Sequence, residues 1–277
     1  MHKLLSGSLR TEAITIAIPW LPPSLQNTRL VQLSDLHYDG LRLSEEMLTE
    51  AIETSNALQP DLVVLTGDYV TDDPTPIHAL ADRLQRLKSR QGTYAVLGNH
   101  DLEMPHSQTE VTAALTRAGI RVLWNEIAYP LGQELPIVGL ADFWSREFNP
   151  APVLNQLDPE TPRIVLSHNP DSAAKLQPWR VDLQLSGHTH GGQIALPGFG
   201  PFPTGYQRLR RYVPKTWRRW IPYMKEDCCK VVQHWEWAQG LHPVGSNLLY
   251  VNRGLGTYPP GRLFCPPELT VITLIAG

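Results

Sequence analysis

Apolar residues recur along the chain in short bursts, each followed by a small residue and then a polar one. Five segments share this plan: Leu30-Val-Gln-Leu-Ser-Asp35, Leu62-Val-Val-Leu-Thr-Gly-Asp68, Tyr94-Ala-Val-Leu-Gly-Asn99, Ile164-Val-Leu-Ser-His168 and Val181-Asp-Leu-Gln-Leu-Ser-Gly-His188. Short runs rich in Val, Leu and Ile suit strands buried in a sheet. The spacing between the segments varies too widely for a solenoid repeat.

Between these runs the apolar period lengthens to that of a helix. Ser44 is placed to cap a helix with Met47, Leu48, Ala51, Ile52 and Leu58 on one face. Glu45 and Glu46 fall in its first turn, where the helix dipole favours acids. Pro76 begins a second helix with Ile77, Leu80, Ala81, Leu84 and Leu87 on one side. Ser107 and Glu110 form a candidate capping box ahead of Val111, Ala114, Leu115 and Ala118. Such alternation predicts an α/β fold with right-handed crossovers. From about Glu134 short strands follow one another (Leu135–Leu140, Gln193–Leu196, Asn247–Val251, Leu269–Ile275), which predicts a second, mixed sheet packed on the first. Ligands in α/β sheets gather beyond the carboxyl ends of strands. All five segments carry their polar residue at that end.

Composition narrows the picture modestly. With 277 residues, 42% hydrophobic and 18% charged, the chain can bury a sizeable core. A net charge of −3 gives no global reason to expect nucleic acid. The odd set Cys228, Cys229 and Cys265 forms neither a disulfide framework nor a C-x-x-C site, so reduced thiols are expected. No stretch approaches the roughly 18 apolar residues of a membrane span. Ala13–Ile18, running into Pro19, reads as a first strand rather than a signal sequence. A cytoplasmic protein is the expectation.

The polar residues at the strand ends are metal-ligand types. Asp35 and His37 stand in Ser-Asp-Leu-His, Asp68 in Thr-Gly-Asp, Asn99 in Gly-Asn-His-Asp, His168 in Leu-Ser-His-Asn, and His188 and His190 in Gly-His-Thr-His-Gly-Gly-Gln. Asp35 and His37, like His188 and His190, are two apart, so in extended strand ends each pair would project the same way. Two divalent cations about 3.5–4 Å apart require such nitrogen and oxygen donors and one bridging anion. Singly, an Asp-x-His or a Gly-Asp is an ordinary turn. Two histidines set among glycines have little packing value, and the five elements together in order point to a metal centre. The donor set has no thiolate, which suits Mn, Fe, Zn or Co over copper without ranking them.

This ordered set, Asp-x-His, Gly-Asp, Gly-Asn-His-Asp, a lone His and Gly-His-x-His, resembles the calcineurin-like metallophosphoesterase superfamily. The ending Val251-Asn-Arg-Gly-Leu-Gly-Thr257 with Phe264-Cys-Pro-Pro-Glu-Leu-Thr270 is similar to a bacterial phosphodiesterase-like subgroup, some members of which hydrolyse the pyrophosphate of UDP-2,3-diacylglucosamine. The resemblance implies a single domain, a four-layer αββα sandwich of two mixed sheets. It implies that Asp35, His37 and His190 hold one metal, that Asn99, His168 and His188 hold another, and that Asp68 bridges them. It further implies in-line attack on phosphorus by a metal-bridging hydroxide. In that scheme His100 stabilises the transition state or protonates the leaving oxygen, and Asp101 orients His100. Arg253 is a candidate contact for substrate phosphate, with a structural salt bridge as the alternative; Asp142 is similarly open.

Tyr206–Lys225 differs from its surroundings. Arg208, Arg210, Arg211, Lys215, Arg218, Arg219 and Lys225 interleave with Tyr206, Tyr212, Trp217, Trp220 and Tyr223. Within an insertion at about 204–242, this segment reads either as a solvated lid packed on the domain or as a contact for a lipid-linked or anionic substrate, or for a membrane surface. Single-stranded nucleic acid is the least favoured partner. The expected activity is hydrolysis of a phosphodiester or pyrophosphate. A phosphomonoesterase (a protein phosphatase included) and a non-catalytic scaffold are the alternatives.

Overall fold

The computed structural model describes residues 7–196, 198, 200–218, 231–259 and 261–277. Two six-stranded mixed sheets face each other. In the first, β1 (Arg10–Ile18), β14 (Glu268–Ala276), β2 (Arg29–Leu33), β3 (Leu62–Leu65), β4 (Thr93–Ala95) and β5 (Ile120–Val122) lie in that order. In the second the order is β12 (Gly240–Val244), β13 (Asn247–Val251), β9 (Leu183–Ser186), β8 (Ile164–Leu166), β7 (Ile137–Gly139) and β6 (Glu126–Ala128). β2 to β5 run parallel, as do β7, β8, β9 and β13, while the last strand β14 inserts antiparallel to β2.

Alternation along the strands sorts the core into layers. Leu30, Leu62, Val64 and Ile272 of the first sheet meet Ile137, Ile164, Leu166, Leu183 and Leu185 of the second in one buried cluster. Val31, Leu33, Val63 and Leu65 face the other way, onto α1 (Glu45–Ala57), α2 (Ile77–Leu84) and α3 (Ser107–Arg117). Val138, Leu140 and Val165 pack against α4 (Ala151–Leu154) and Leu176 of α5 (Ser172–Leu176). The result is the expected αββα layering. Runs such as Leu62–Leu65 lack polar alternation because both of their faces are covered.

Local expectations fared unevenly. Ser44 caps α1 by accepting from the Met47 amide at 3.2 Å. Ser107 does not cap α3; its hydroxyl accepts from the Met104 amide upstream, and Glu110 pairs with His78 instead. Strand β7 is shorter than Leu135–Leu140. Gln193 lies outside any strand with φ +55°, leaving only Ala195–Leu196 as β10, paired with β11 (Gly200–Pro201).

The basic segment begins as helix α6 (Phe202–Tyr212) and continues as the short α7 (Lys215–Arg218). Arg219, Trp220, Tyr223, Lys225, Cys228 and Cys229 lie outside the described residues, as do the side chains of Arg208, Arg211 and Lys215. Cys265 is a buried free thiol. Among the described residues no helix is long and apolar enough to cross a membrane.

Candidate metal centre

Four of the five segments deliver their polar residue to one place, past the carboxyl ends of β2, β3, β8 and β9, and the fifth sets Asn99 next to His100, whose amide donates to Asp68 Oδ1 at 3.0 Å. Three groups of side chains converge there: Asp35, His37 and His190; His37, Asp68 and His100; Asp68, His168 and His188. Within each group the potential ligand atoms lie within 4.8 Å of one another. His37 Nε2 is 3.1 Å from His190 Nε2, and His168 Nε2 is 3.1 Å from His188 Nδ1. Asp68 Oδ2 lies 3.1 Å from His168 Nε2 and 3.5 Å from His37 Nε2, so a single carboxylate oxygen serves both clusters.

The backbone carries these residues in an unusual conformation. Asp35, His37, Asp68, His188 and His190 have φ of +51°, +42°, +56°, +73° and +51°. Non-glycine residues seldom adopt the left-handed region, and such strain persists only where the surroundings impose it. Here they do: the Asp35 amide donates to Gly67 O and the His37 amide to Asp68 O, both at 3.0 Å, and the His188 amide donates to Asp35 Oδ1 at 2.9 Å. The expectation of extended strand ends for Asp35/His37 and His188/His190 is therefore corrected. The pairs converge through tight left-handed turns, not through strand alternation. Two glycines permit the crowding: a Cβ on Gly98 would lie 2.2 Å from Asp68 Oδ1, and one on Gly187 2.2 Å from Asp35 Oδ2.

Hydrogen bonds set which ring nitrogen is free. His168 Nδ1 faces Thr66 O at 2.7 Å, His190 Nδ1 faces Gly256 O at 3.2 Å, and His188 Nε2 faces Val231 O at 2.9 Å. A carbonyl can only accept, so each of these nitrogens carries a proton and the other nitrogen is the one turned toward the centre. This is the usual outer support of a metal-binding imidazole. His37 Nδ1 is anchored differently, on the Tyr258 hydroxyl at 3.0 Å.

Electrostatics follow from burial. His37 and His188 are pushed down to about 3 and about 4 by desolvation, and His190 falls well below its ordinary value. Neutral imidazoles are what a metal requires. His168 is the exception. Burial opposes its charge, but the Asp68 carboxylate beside it outweighs burial and holds it up to about 10. Asn99 Oδ1 is buried and has no hydrogen-bond partner among the described residues. An orphaned amide oxygen on the residue preceding His100, whose own amide donates to Asp68, fits a cation ligand, because leaving it unpaired is otherwise costly.

His100 is half-buried and lines a cavity of about 240 Å³ with Asp68, His188, His190, Val231 and Tyr258. Its Nδ1 faces Thr71 O at 2.7 Å, leaving Nε2 available. Asp101 does not orient it. The Asp101 carboxylate is buried and accepts from the amides of Asp68, Tyr69, Val70 and Gly98 at 2.8–3.3 Å. Its work is to clamp the two turns that bear Asp68 and Asn99.

Arg253 forms the structural salt bridges named as the alternative to a substrate contact. Its guanidinium donates to Glu12 at 2.7 Å, Glu268 at 2.9 Å and Pro266 O at 3.1 Å, an ion-pair cluster that ties β1 to β14. Asp142 is buried; its Oδ2 accepts from the Trp144 amide, and its Oδ1 lacks a partner among the described residues. It borders a second cavity of about 380 Å³ that reaches from Asn99 past Met104, Trp124 and Trp144. No local pattern announces Tyr258, nor the carbonyls of Thr66, Thr71 and Val231, since any residue supplies a carbonyl.

Clustered carboxylates, histidines and an asparagine at the junction of two parallel-rich sheets define a metal-dependent hydrolase centre. The chain belongs to the calcineurin-like phosphoesterase family, whose model matches residues 28–192. It is 32% identical to the metallophosphoesterase YkuE of Bacillus subtilis over 96% of this chain and 85% of that one. It is 33% identical to phosphodiesterase YaeI of Escherichia coli, over 89% and 82% respectively. Against UDP-2,3-diacylglucosamine pyrophosphatase LpxG of Chlamydia trachomatis the identity is 28%, over 95% and 88%. It is a hydrolase of phosphoester bonds.

Proposed function

We propose that this chain is a dinuclear metallophosphoesterase that cleaves a phosphodiester or pyrophosphate. The observation that carries the reading is the position of Asp68, whose one oxygen is shared by the His37 and His168 clusters. Asp35, His37 and His190 would hold one cation, Asn99, His168 and His188 the other, and Asp68 both. Manganese, iron or zinc suits this nitrogen and oxygen set. Two such cations would supply nucleophilic water near neutral pH and offset charge on the phosphoryl group.

The chain's own residues do the rest. His100, fixed through Nδ1 by Thr71, presents Nε2 to the leaving oxygen and donates a proton or hydrogen bond there. The cavity past Asn99, walled by Trp124 and Trp144, receives the group beyond the scissile bond. From the insertion at 204–242, Val231 and Trp235 line the rim of the centre. A lipid-linked pyrophosphate such as the substrate in the LpxG relative's name is one candidate of this class.

The deciding experiment is turnover by manganese-loaded protein on a bis-aryl phosphate, an aryl monophosphate and a nucleotide-sugar lipid. Diester or pyrophosphate cleavage should dominate. Faster monoester hydrolysis would make it a phosphomonoesterase, and no turnover at full metal occupancy would make it a scaffold.

A further inference from the structure

Four of the five histidines at the centre rest their outward ring nitrogen on a backbone carbonyl: His168 on Thr66, His188 on Val231, His190 on Gly256 and His100 on Thr71. His37 is the exception, because its Nδ1 meets the hydroxyl of Tyr258 at 3.0 Å. The difference is chemical. A carbonyl accepts and has nothing further to give, whereas a phenol that accepts from an imidazole N–H still carries a proton to donate.

The direction of that hydrogen bond follows from the other side of the ring. His37 Nε2 converges with His190 Nε2 and Asp68 Oδ2, so it is the nitrogen that offers a lone pair to a cation. The proton then sits on Nδ1 and is donated to Tyr258. Among the described residues the Tyr258 hydroxyl makes no other hydrogen bond, and the side chain lines the 240 Å³ cavity beside Asp68 and His100.

The phenol ring is held on several sides. The Arg42 guanidinium lies 4.4 Å from its centroid, itself paired with Asp39. The rings of His37 and His190 meet it edge-on at 4.9 and 5.3 Å, and the Tyr258 amide donates to Gln193 Oε1 at 2.7 Å. A phenol keeps its proton at neutral pH and can donate it. The His100 ring stands across the cavity, 6.4 Å between centroids. Two polar edges thus flank the space next to the shared carboxylate.

We propose that Tyr258 is a catalytic residue, donating a hydrogen bond from its hydroxyl to a non-bridging phosphoryl oxygen of the substrate while the same oxygen anchors His37. The assignment rests on the phosphoesterase reading above. It gives the substrate phosphate two protein donors, His100 and Tyr258, and gives the second of them a rigid seat. A preorganised donor of this kind acts most where charge develops during reaction.

The test is Tyr258→Phe, which keeps the ring against Arg42 and His37 and removes only the hydroxyl. Manganese content is brought to the wild-type level, and inorganic phosphate is titrated calorimetrically into both manganese-loaded proteins. Phosphate affinity should fall about ten- to a hundredfold, the range for a hydrogen bond to a charged group. The kcat/KM on the preferred ester should fall at least as far. Unchanged phosphate affinity at full manganese occupancy overturns the proposal, whether or not metal affinity has weakened, and leaves Tyr258 as an anchor for His37 alone. If wild-type protein turns over no phosphate ester, the phosphoesterase reading fails. The phosphate titration still decides whether the hydroxyl contacts the anion.

Discussion

Asp101 Oδ2 accepts the backbone amide of Asp68 at 2.9 Å, the contact that holds the shared carboxylate in its left-handed turn. The same carboxylate takes the amides of Tyr69, Val70 and Gly98, so it substitutes for a stretch of backbone pairing at the end of β3 and β4. Removing it leaves buried amides without acceptors, each costing about 1–3 kcal/mol. Asp101→Ala should lower the melting temperature sharply and reduce retained metal. Asp101→Asn, which keeps one acceptor oxygen, should fall between. A variant that melts like wild type and loses only turnover would return Asp101 to the role of orienting His100.

Asn99 makes the opposite forecast. Its Oδ1 has no partner among the described residues, so truncation strands nothing there that was satisfied. Asn99→Ala should leave the stability of metal-free protein within about 1 kcal/mol of wild type, the range for changes that break no satisfied network. Manganese affinity should drop at least tenfold, as befits a lost ligand. Calorimetric titration beside a thermal melt separates the two effects. Equal loss in both would mean the amide is structural.

The division between Asp101 and Asn99 shows what the sequence could carry. Strand runs such as Leu62–Leu65 and the ligand types at their ends are local properties, and they placed both the sheets and the centre. The edge to which each strand end points is also local. What the sequence could not carry is pairing at a distance. Asp101 stands next to His100 in the chain, yet its partners are amides 31 to 33 residues away as well as Gly98 nearby. Arg253 lies in a glycine-rich loop that suggests a ligand contact, yet Glu12, 241 residues distant, claims its guanidinium. Tyr258 reaches His37 across 221 residues with no local pattern to announce it. Left-handed turns at Asp35 and His188 also escaped, because nothing in an Asp-x-His or His-x-His spacing distinguishes a strand end from a tight turn.

Metal uptake should be linked to pH through His168. In the metal-free protein Asp68 holds this imidazole protonated up to about 10, against an ordinary 6.5. A raised histidine value stabilises the metal-free fold fully below the unfolded value, and that contribution is lost as pH rises through about 10. A cation must displace the same proton. Manganese affinity should therefore climb between pH 7 and 9, by up to about tenfold per unit where one proton is released. Titrations in buffers of different ionisation enthalpy would measure that proton directly. A flat affinity with no proton release would show that His168 is already neutral.

Arg253→Ala tests whether its guanidinium serves the substrate or the fold. Glu268 is 1% exposed at its side chain, and it also accepts from Tyr250 and Thr270, so it cannot turn to solvent when its cation is removed. Breaking a buried pair by deleting one partner costs about 3–5 kcal/mol. The Glu12 contact is more exposed and adds less. Denaturant unfolding should show a loss of that order, while the folded fraction keeps its KM for the ester substrate. A double variant Arg253→Met with Glu268→Gln should recover part of the stability, because the uncompensated charge is gone. A raised KM with unchanged unfolding midpoint would instead place Arg253 on the substrate phosphate, and the ion pairs to Glu12 and Glu268 would then be incidental.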